Sequence, residues 1–145
     1  MNKGIKNDWL REVSIVYDPL IDYKADKIFS KLIDEIAYFK PDLIVGSSMG
    51  GYVAYLIANE LQINAVLFNP ALHSRSFEPD TLELTNKLTY PEITIVLGVN
   101  DQVIKSELTK TMFSRRANIT IIEYSHGHRT PFDVFKTEIE KHIHR

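Results

Sequence analysis

The chain has 145 residues, of which 44% are hydrophobic and 25% charged, so it can bury the core of one globular domain. Its net charge of −2 provides no global positive field that would attract nucleic acid or an anionic membrane. The absence of cysteine excludes disulfides, thiolate catalysis and cysteine-based metal sites. Because we find no signal segment or apolar run of membrane length, we expect a cytoplasmic protein with a single domain over residues 1–145.

Predicted strands and helices alternate along the chain. A short β-branched run predicts a first strand over 13–17, and apolar residues at helical spacing predict a helix over 23–39, which Pro41 ends. Further apolar runs predict strands over 43–45, 65–68, 93–97 and 119–122. Further helices are predicted over 52–61, 103–113 and 131–142, with a short one around 81–88.

The predicted strands are apolar throughout rather than alternating, which is typical of sheets covered by helices on both faces. This order of elements predicts an α/β fold with three layers and a doubly wound, mainly parallel sheet of about five strands. In such sheets the functional crevice lies beyond the carboxyl ends of the strands. Polar residues that directly follow a strand are therefore the candidates for chemistry.

The most specific motif is Gly-x-Ser-x-Gly at residues 46–50, between a predicted strand and a predicted helix. A serine on such a turn is held clear of the sheet, where a base and a carbonyl carbon can reach its hydroxyl. The two glycines allow the close backbone approach that the turn requires. Ser48 is the predicted nucleophile. Ser47 is its rival, but the side chain before the central serine is expected to point elsewhere.

Two later strands are followed by an acid and by candidate bases. Asp101 directly follows the fourth predicted strand, where its carboxylate can turn toward the crevice or cap the next helix. His126 and His128 follow the fifth, and His128 is preferred because a glycine precedes it and the last helix follows. A neutral imidazole can remove the serine proton, and a carboxylate fixes the tautomer of that imidazole. The pattern predicts a Ser48–His128–Asp101 triad, with His126 as the alternative base.

With these residues the chain resembles the α/β-hydrolase superfamily, and most of all its small, lid-poor bacterial esterase-like branch. The matching segments are Gly-Ser-Ser-Met-Gly-Gly-Tyr at 46–52, Asn-Pro-Ala at 69–71, Gly-x-x-Asp at 98–101 and Gly-His at 127–128. The resemblance runs from about residue 13 to the end. It implies that Ser48 is the nucleophile, Asp101 the acid and His128 the base. It also implies that the Met49 N–H is one oxyanion donor.

One part of the superfamily's pattern is missing. An earlier strand normally ends in His-Gly, and its loop supplies the second oxyanion N–H, but no His-Gly precedes Ser48. We therefore expect a minimal α/β-hydrolase that lacks an N-terminal strand–helix unit. Either the strand at 13–17 takes the vacated place, so that the loop at 17–21 brings Asp18 to the crevice, or the chain is shortened relative to its relatives. Losing one oxyanion donor typically costs ~10²–10³ in turnover.

The expected function is hydrolysis of a small acyl ester or thioester through an acyl-enzyme, with no cofactor and no metal ion. Asp18, Tyr52 and His73 are the expected substrate-binding residues, although His73 also suits a plain surface position. Short acyl groups are favoured because the segment between the third and fourth predicted strands is too short for a large lid. The alternatives are an inactive or weakly active binding protein on the same scaffold, and acyl transfer to another acceptor. Pairing of an exposed edge strand into a homodimer is a further expectation.

Overall fold

A computed structural model describes residues 3–82, 84–85 and 91–143, and this part of the chain contains five helices and four strands. The elements in chain order are α1 (Lys3–Val13), α2 (Ile28–Phe39), β1 (Ile44–Ser47), α3 (Ser48–Leu61), β2 (Ala65–Phe68), β3 (Ile93–Gly98), α4 (Ser106–Met112), β4 (Ile119–Tyr124) and α5 (Phe132–Ile143). No helix in these ranges is both long and apolar enough to cross a membrane.

The four strands form one parallel sheet in the order β1-β2-β3-β4. Ala65 pairs with Ile44 on one side and with Ile93 on the other, and Ile93 pairs in turn with Ile119. The strands therefore begin nearly level, and their carboxyl ends meet at one edge of the sheet. The predicted parallel sheet is confirmed, with four strands in place of about five.

Helices cover both faces of the sheet, which explains why β2 is apolar and buried throughout. Ala65 and Leu67 of β2 pack toward α3 and the end of α4, whereas Val66 and Phe68 pack toward α1 and α5. A further apolar cluster joins α2 to α3. This arrangement confirms the three-layer α/β fold.

The strand predicted over 13–17 is wrong. Residues up to Val13 belong to α1, and residues 14–27 contain no helix or strand. Helix α1 is held by Trp9, whose ring meets Phe132 and Phe135 edge-on at centroid distances of 6.1 and 6.2 Å. The β-branched run is left without a partner strand, and Ile15 is 88% exposed. β-Propensity depends on such partners. The place beside β1 is therefore not taken by 13–17, and β1 is an edge strand of the described sheet.

The other differences concern the starts of helices. α2 begins at Ile28 rather than at 23, because Asp22 binds the N–H groups of Lys24 and Ala25 in a turn before it. α4 begins at Ser106, after a turn, and α3 begins already at Ser48. Half of the short helix predicted around 81–88 lies outside the described residues, and residues 81–82 and 84–85 are not helical.

Candidate active site

Ser48 lies at the junction of β1 and α3, on a turn that only small neighbours permit. Its φ is 52°, in the left-handed region that non-glycine residues seldom adopt. A Cβ on Gly46 would lie 2.5 Å from the Gly50 carbonyl oxygen, and one on Gly51 would lie 2.8 Å from Pro70 Cβ. The strand, sharp turn and helix expected for the Gly-x-Ser-x-Gly motif are therefore present.

Ser48, His128 and Asp101 are joined by two hydrogen bonds. His128 Nδ1 lies 2.8 Å from Asp101 Oδ2, and His128 Nε2 lies 2.9 Å from Ser48 Oγ. An ionised carboxylate only accepts hydrogen bonds, so Nδ1 carries the imidazole proton and Nε2 is left as an acceptor. Ser48 then donates its hydroxyl proton to Nε2. This is the tautomer that a general base requires.

The Asp101 carboxylate is buried and uses both of its oxygens. Its side chain is fully buried, and Oδ1 accepts the N–H groups of Val103 and Ile104 at 2.7 and 2.8 Å. These bonds close a turn that precedes α4; Asp101 therefore does not cap this helix, whose N-cap residue is Lys105. The backbone bonds also fix the direction in which Oδ2 faces His128.

The structure brings His128, and not His126, to Ser48. His126 Nδ1 lies 2.8 Å from the Gly127 carbonyl oxygen, to which it donates, and its ring stacks on Tyr124 at 6.0 Å. The same ring packs closely on Gly98, where an added Cβ would lie 2.4 Å from Nδ1. His126 therefore packs against Tyr124 and Gly98, and none of its described hydrogen bonds reaches Ser48.

Asn69 is a neighbour of the site whose role the sequence patterns did not predict. It follows β2 with a φ of 43° and is 1% exposed. Its side chain bonds the Gly98 N–H and the His128 carbonyl. Two residues later, the Ala71 N–H donates to the Ser48 carbonyl at 2.9 Å. The signal for its position was an asparagine, a residue that tolerates positive φ, directly after a strand.

The first turn of α3 offers unpaired backbone donors beside the serine. The Met49 N–H lies in that turn, where N–H groups have no intrahelical partner and the helix dipole favours negative charge. The Tyr23 hydroxyl also reaches this turn, 3.5 Å from where a Cβ on Gly50 would lie. Burial raises the pKa of Tyr23, so its hydroxyl keeps its proton in neutral solution.

The three expected substrate-binding residues are placed in different surroundings. Asp18 accepts a hydrogen bond from Asn7 of α1 at 3.1 Å, and none of its described bonds reaches Ser48. The Tyr52 ring, one turn along α3 from Ser48, lies 3.9 Å from the Arg75 guanidinium carbon. His73 follows Leu72, and its Nε2 is buried without a hydrogen-bond partner among the described residues. A role in binding substrate stays a prediction for all three.

The fold is that of the α/β hydrolases. A solved structure assigned to the α/β hydrolase superfamily, from Xanthomonas campestris pv. campestris, is 19% identical with a TM-score of 0.57. The match covers 76% of this chain and 60% of the Xanthomonas chain. MGS-M1, an α/β hydrolase from a Medee basin deep-sea metagenome library, is 16% identical with a TM-score of 0.59 over 88% of this chain and 62% of its own. An α-β serine hydrolase homologue from Coxiella burnetii is 16% identical with a TM-score of 0.52, and the match covers 79% of this chain and 54% of the homologue.

The family of the chain is shown by its sequence. Residues 7–126 match the family described as Uncharacterised protein family (UPF0227), and the chain belongs to it. No curated protein matches the chain. The chain spans 54–62% of the length of the three solved structures, and identities of 16–19% establish the fold alone.

Proposed function

We propose that the protein is a serine hydrolase that cleaves a small acyl ester or thioester through an acyl-enzyme. The observation that carries this proposal is the continuous chain of hydrogen bonds from Ser48 Oγ through His128 to Asp101, at 2.9 and 2.8 Å. In it Ser48 is the nucleophile, His128 the general base and Asp101 the group that orients the imidazole. No cofactor takes part in the proposed reaction.

The first half of the reaction forms the acyl-enzyme. Ser48 Oγ attacks the acyl carbon as its proton passes to His128 Nε2, and the carbonyl π electrons move to oxygen. The resulting imidazolium is stabilised by the Asp101 carboxylate at Nδ1. When the tetrahedral intermediate collapses, the bond to the leaving alcohol or thiol breaks, and Nε2 returns the proton to the leaving group.

The second half repeats these steps with water. His128 Nε2 takes a proton from a water molecule while the water oxygen attacks the acyl carbon. The bond to Ser48 Oγ then breaks, Oγ regains the proton, and the carboxylic acid is released. In both halves the Met49 N–H serves as one oxyanion donor, in keeping with its place in the first turn of α3.

The surroundings of the base support small substrates. The His128 side chain is 26% exposed, so solvent reaches the proposed base. The segment between β2 and β3, residues 69–92, is too short to form a large lid, which favours short acyl groups over long lipid chains. Within this proposal, Tyr52, His73 and Asp18 are the candidates for substrate contact, and acyl transfer to an acceptor other than water would use the same residues.

The test is turnover of a series of p-nitrophenyl esters and acyl thioesters of increasing acyl length, by wild type and by Ser48→Ala. We expect hydrolysis of the shortest acyl groups by wild type and none above background by Ser48→Ala. Equal rates for the two proteins would contradict the proposal, as would no turnover of any member by folded wild type.

A second candidate is a binding protein on the same scaffold with little or no turnover. It is favoured by one observation: β1 is the edge of the described sheet, so no described strand on its outer side carries a loop for the second oxyanion N–H. Such a protein would bind the short-chain esters without hydrolysing them, and its affinity would be unchanged in Ser48→Ala. Calorimetry on both proteins separates it from the hydrolase.

A further inference from the structure

We propose that Asn69 is a positioning residue that fixes the position of His128 relative to the loop that carries Asp101. Asn69 Nδ2 donates to the His128 carbonyl at 2.8 Å and to the Gly127 carbonyl at 3.3 Å. Asn69 Oδ1 accepts the Gly98 N–H at 2.8 Å. One side chain thus bridges the end of β3 and the loop after β4. Its catalytic consequence rests on the proposed function.

The bridge reaches both partners of the His128–Asp101 hydrogen bond. On one side, Asn69 bonds the carbonyl of His128 itself. On the other side it holds Gly98, whose own carbonyl accepts the Asp101 N–H at 3.0 Å. Moving either segment changes the 2.8 Å distance between His128 Nδ1 and Asp101 Oδ2.

An amide side chain satisfies this place. The bridge needs a donor toward two carbonyls and an acceptor for one N–H, and a carboxylate supplies only the acceptor. Asn69 is 1% exposed, so water cannot replace a lost partner. A longer amide would not fit the same span without moving one of the segments.

The backbone of Asn69 also fixes the residue in this position. Its N–H donates to the Val96 carbonyl at 2.9 Å, and its φ is 43°. Asparagine adopts this left-handed conformation more readily than other non-glycine residues. Strained residues of this kind cluster at functional sites, where the surrounding structure holds them.

Two variants separate the parts of this bridge. Asn69→Gly accepts the positive φ and removes the amide, whereas Asn69→Asp keeps the acceptor for Gly98 and removes the donor to His128. Asn64→Ala is the matched control, because Asn64 Oδ1 accepts the Glu92 N–H at 2.9 Å at the opposite end of β2. Circular dichroism at each assay temperature establishes that every variant is folded.

Two readouts are compared for each protein. The first is the NMR resonance of the His128 Nδ1 proton in its hydrogen bond to Asp101, which requires no activity. The second is the rate at which a fluorophosphonate modifies Ser48. We expect both Asn69 variants to lose or broaden the resonance and to react about 100-fold more slowly, as a misplacement of about 1 Å does. Asn64→Ala keeps the wild-type resonance and rate.

An unchanged resonance in folded Asn69→Asp overturns the proposal, whatever happens to stability, because a merely structural asparagine would alter only the melting temperature. Loss of the resonance with a modification rate that stays at the wild-type value overturns it as well. If Asn69→Gly does not fold, Asn69→Asp decides alone, since it preserves the size of the side chain. Failure of wild type to react with the fluorophosphonate contradicts the proposed function instead, and the resonance still decides the role of Asn69.

Discussion

Replacement of Asp101 by asparagine changes one atom of the proposed triad and leaves the surrounding bonds in place. Oδ1 of Asp101 accepts two backbone N–H groups at 2.7 and 2.8 Å, so the new amide must keep its oxygen there. Its NH₂ group then replaces Oδ2, 2.8 Å from His128 Nδ1. Two donors cannot share this contact, so the imidazole must move its proton to Nε2. In that tautomer Nε2 cannot accept the Ser48 proton.

The expected loss is therefore that of a wrong tautomer with intact geometry. Such a change lowers kcat by about 10⁴-fold, which corresponds to about 5 kcal/mol of activation free energy. The assay is initial-rate hydrolysis of a short p-nitrophenyl ester by wild type, Asp101→Asn and Asp80→Asn. Asp80 is the matched control, because its exposed carboxylate accepts the N–H groups of Lys27 and Leu82, both at 3.0 Å.

We expect Asp80→Asn to hydrolyse the ester at the wild-type rate. An Asp101→Asn protein with a rate within about tenfold of wild type, a loss of about 1.4 kcal/mol or less, would refute the assignment of Asp101 as the residue that fixes the tautomer.

Three further predictions concern the turn at Ser48, the packing at Gly98 and the hydrogen bond between Tyr124 and Glu138. Because the φ of Ser48 is 52°, we expect Ser48→Gly to unfold in urea with a free energy about 1 kcal/mol higher than Ser48→Ala, and equal values would show that the turn stores no strain. Gly98→Ala places a Cβ 2.4 Å from backbone and ring atoms of the His126–Gly127 segment and should lose about 1–3 kcal/mol of stability together with ester hydrolysis. Gly127→Ala meets only one atom at 3.7 Å and should retain both, so equal losses in the two variants would contradict the close packing at Gly98. The hydrogen bond to Glu138 raises the pKa of Tyr124 from 10.0 to about 12. As the pH rises, the Tyr124 hydroxyl therefore loses its proton in the unfolded chain before it does so in the folded protein. The free energy of unfolding should fall as the pH rises from 10.0 to about 12. Urea titrations of wild type and Tyr124→Phe across that range test this, and an equally steep fall in the variant would assign the effect elsewhere.

The sheet and the serine turn were predictable because their signals are local. The strand over 65–68 is buried on both faces, and its run of apolar residues shows this directly. The serine turn is visible in the sequence because its small residues are required within a few positions of one another, as the close approach of Gly46 to Gly50 shows. Ser48, Asp101 and His128 follow three of the parallel strands, which also placed them at one edge, because parallel strands end together.

Features that depend on distant contacts were not predictable. The run over 13–17 has strand-forming residues, but α1 is fixed by the packing of Trp9 on α5. The choice between His126 and His128 rested on a neighbouring glycine, whereas the structure separates the two histidines by the packing of His126 on Gly98. The bridge made by Asn69 requires three chain segments to meet, and no spacing in the sequence records this.

We propose that Ser48 is a nucleophile activated by His128. The most direct test of this proposal is reaction of the folded protein with a fluorophosphonate, followed by mass spectrometry of the intact protein and of its peptides. We predict one adduct per chain, located on Ser48, with loss of labelling in Ser48→Ala and with labelling preserved in Ser47→Ala. Folded wild type that remains unmodified, or an adduct located on another residue, would contradict the claim.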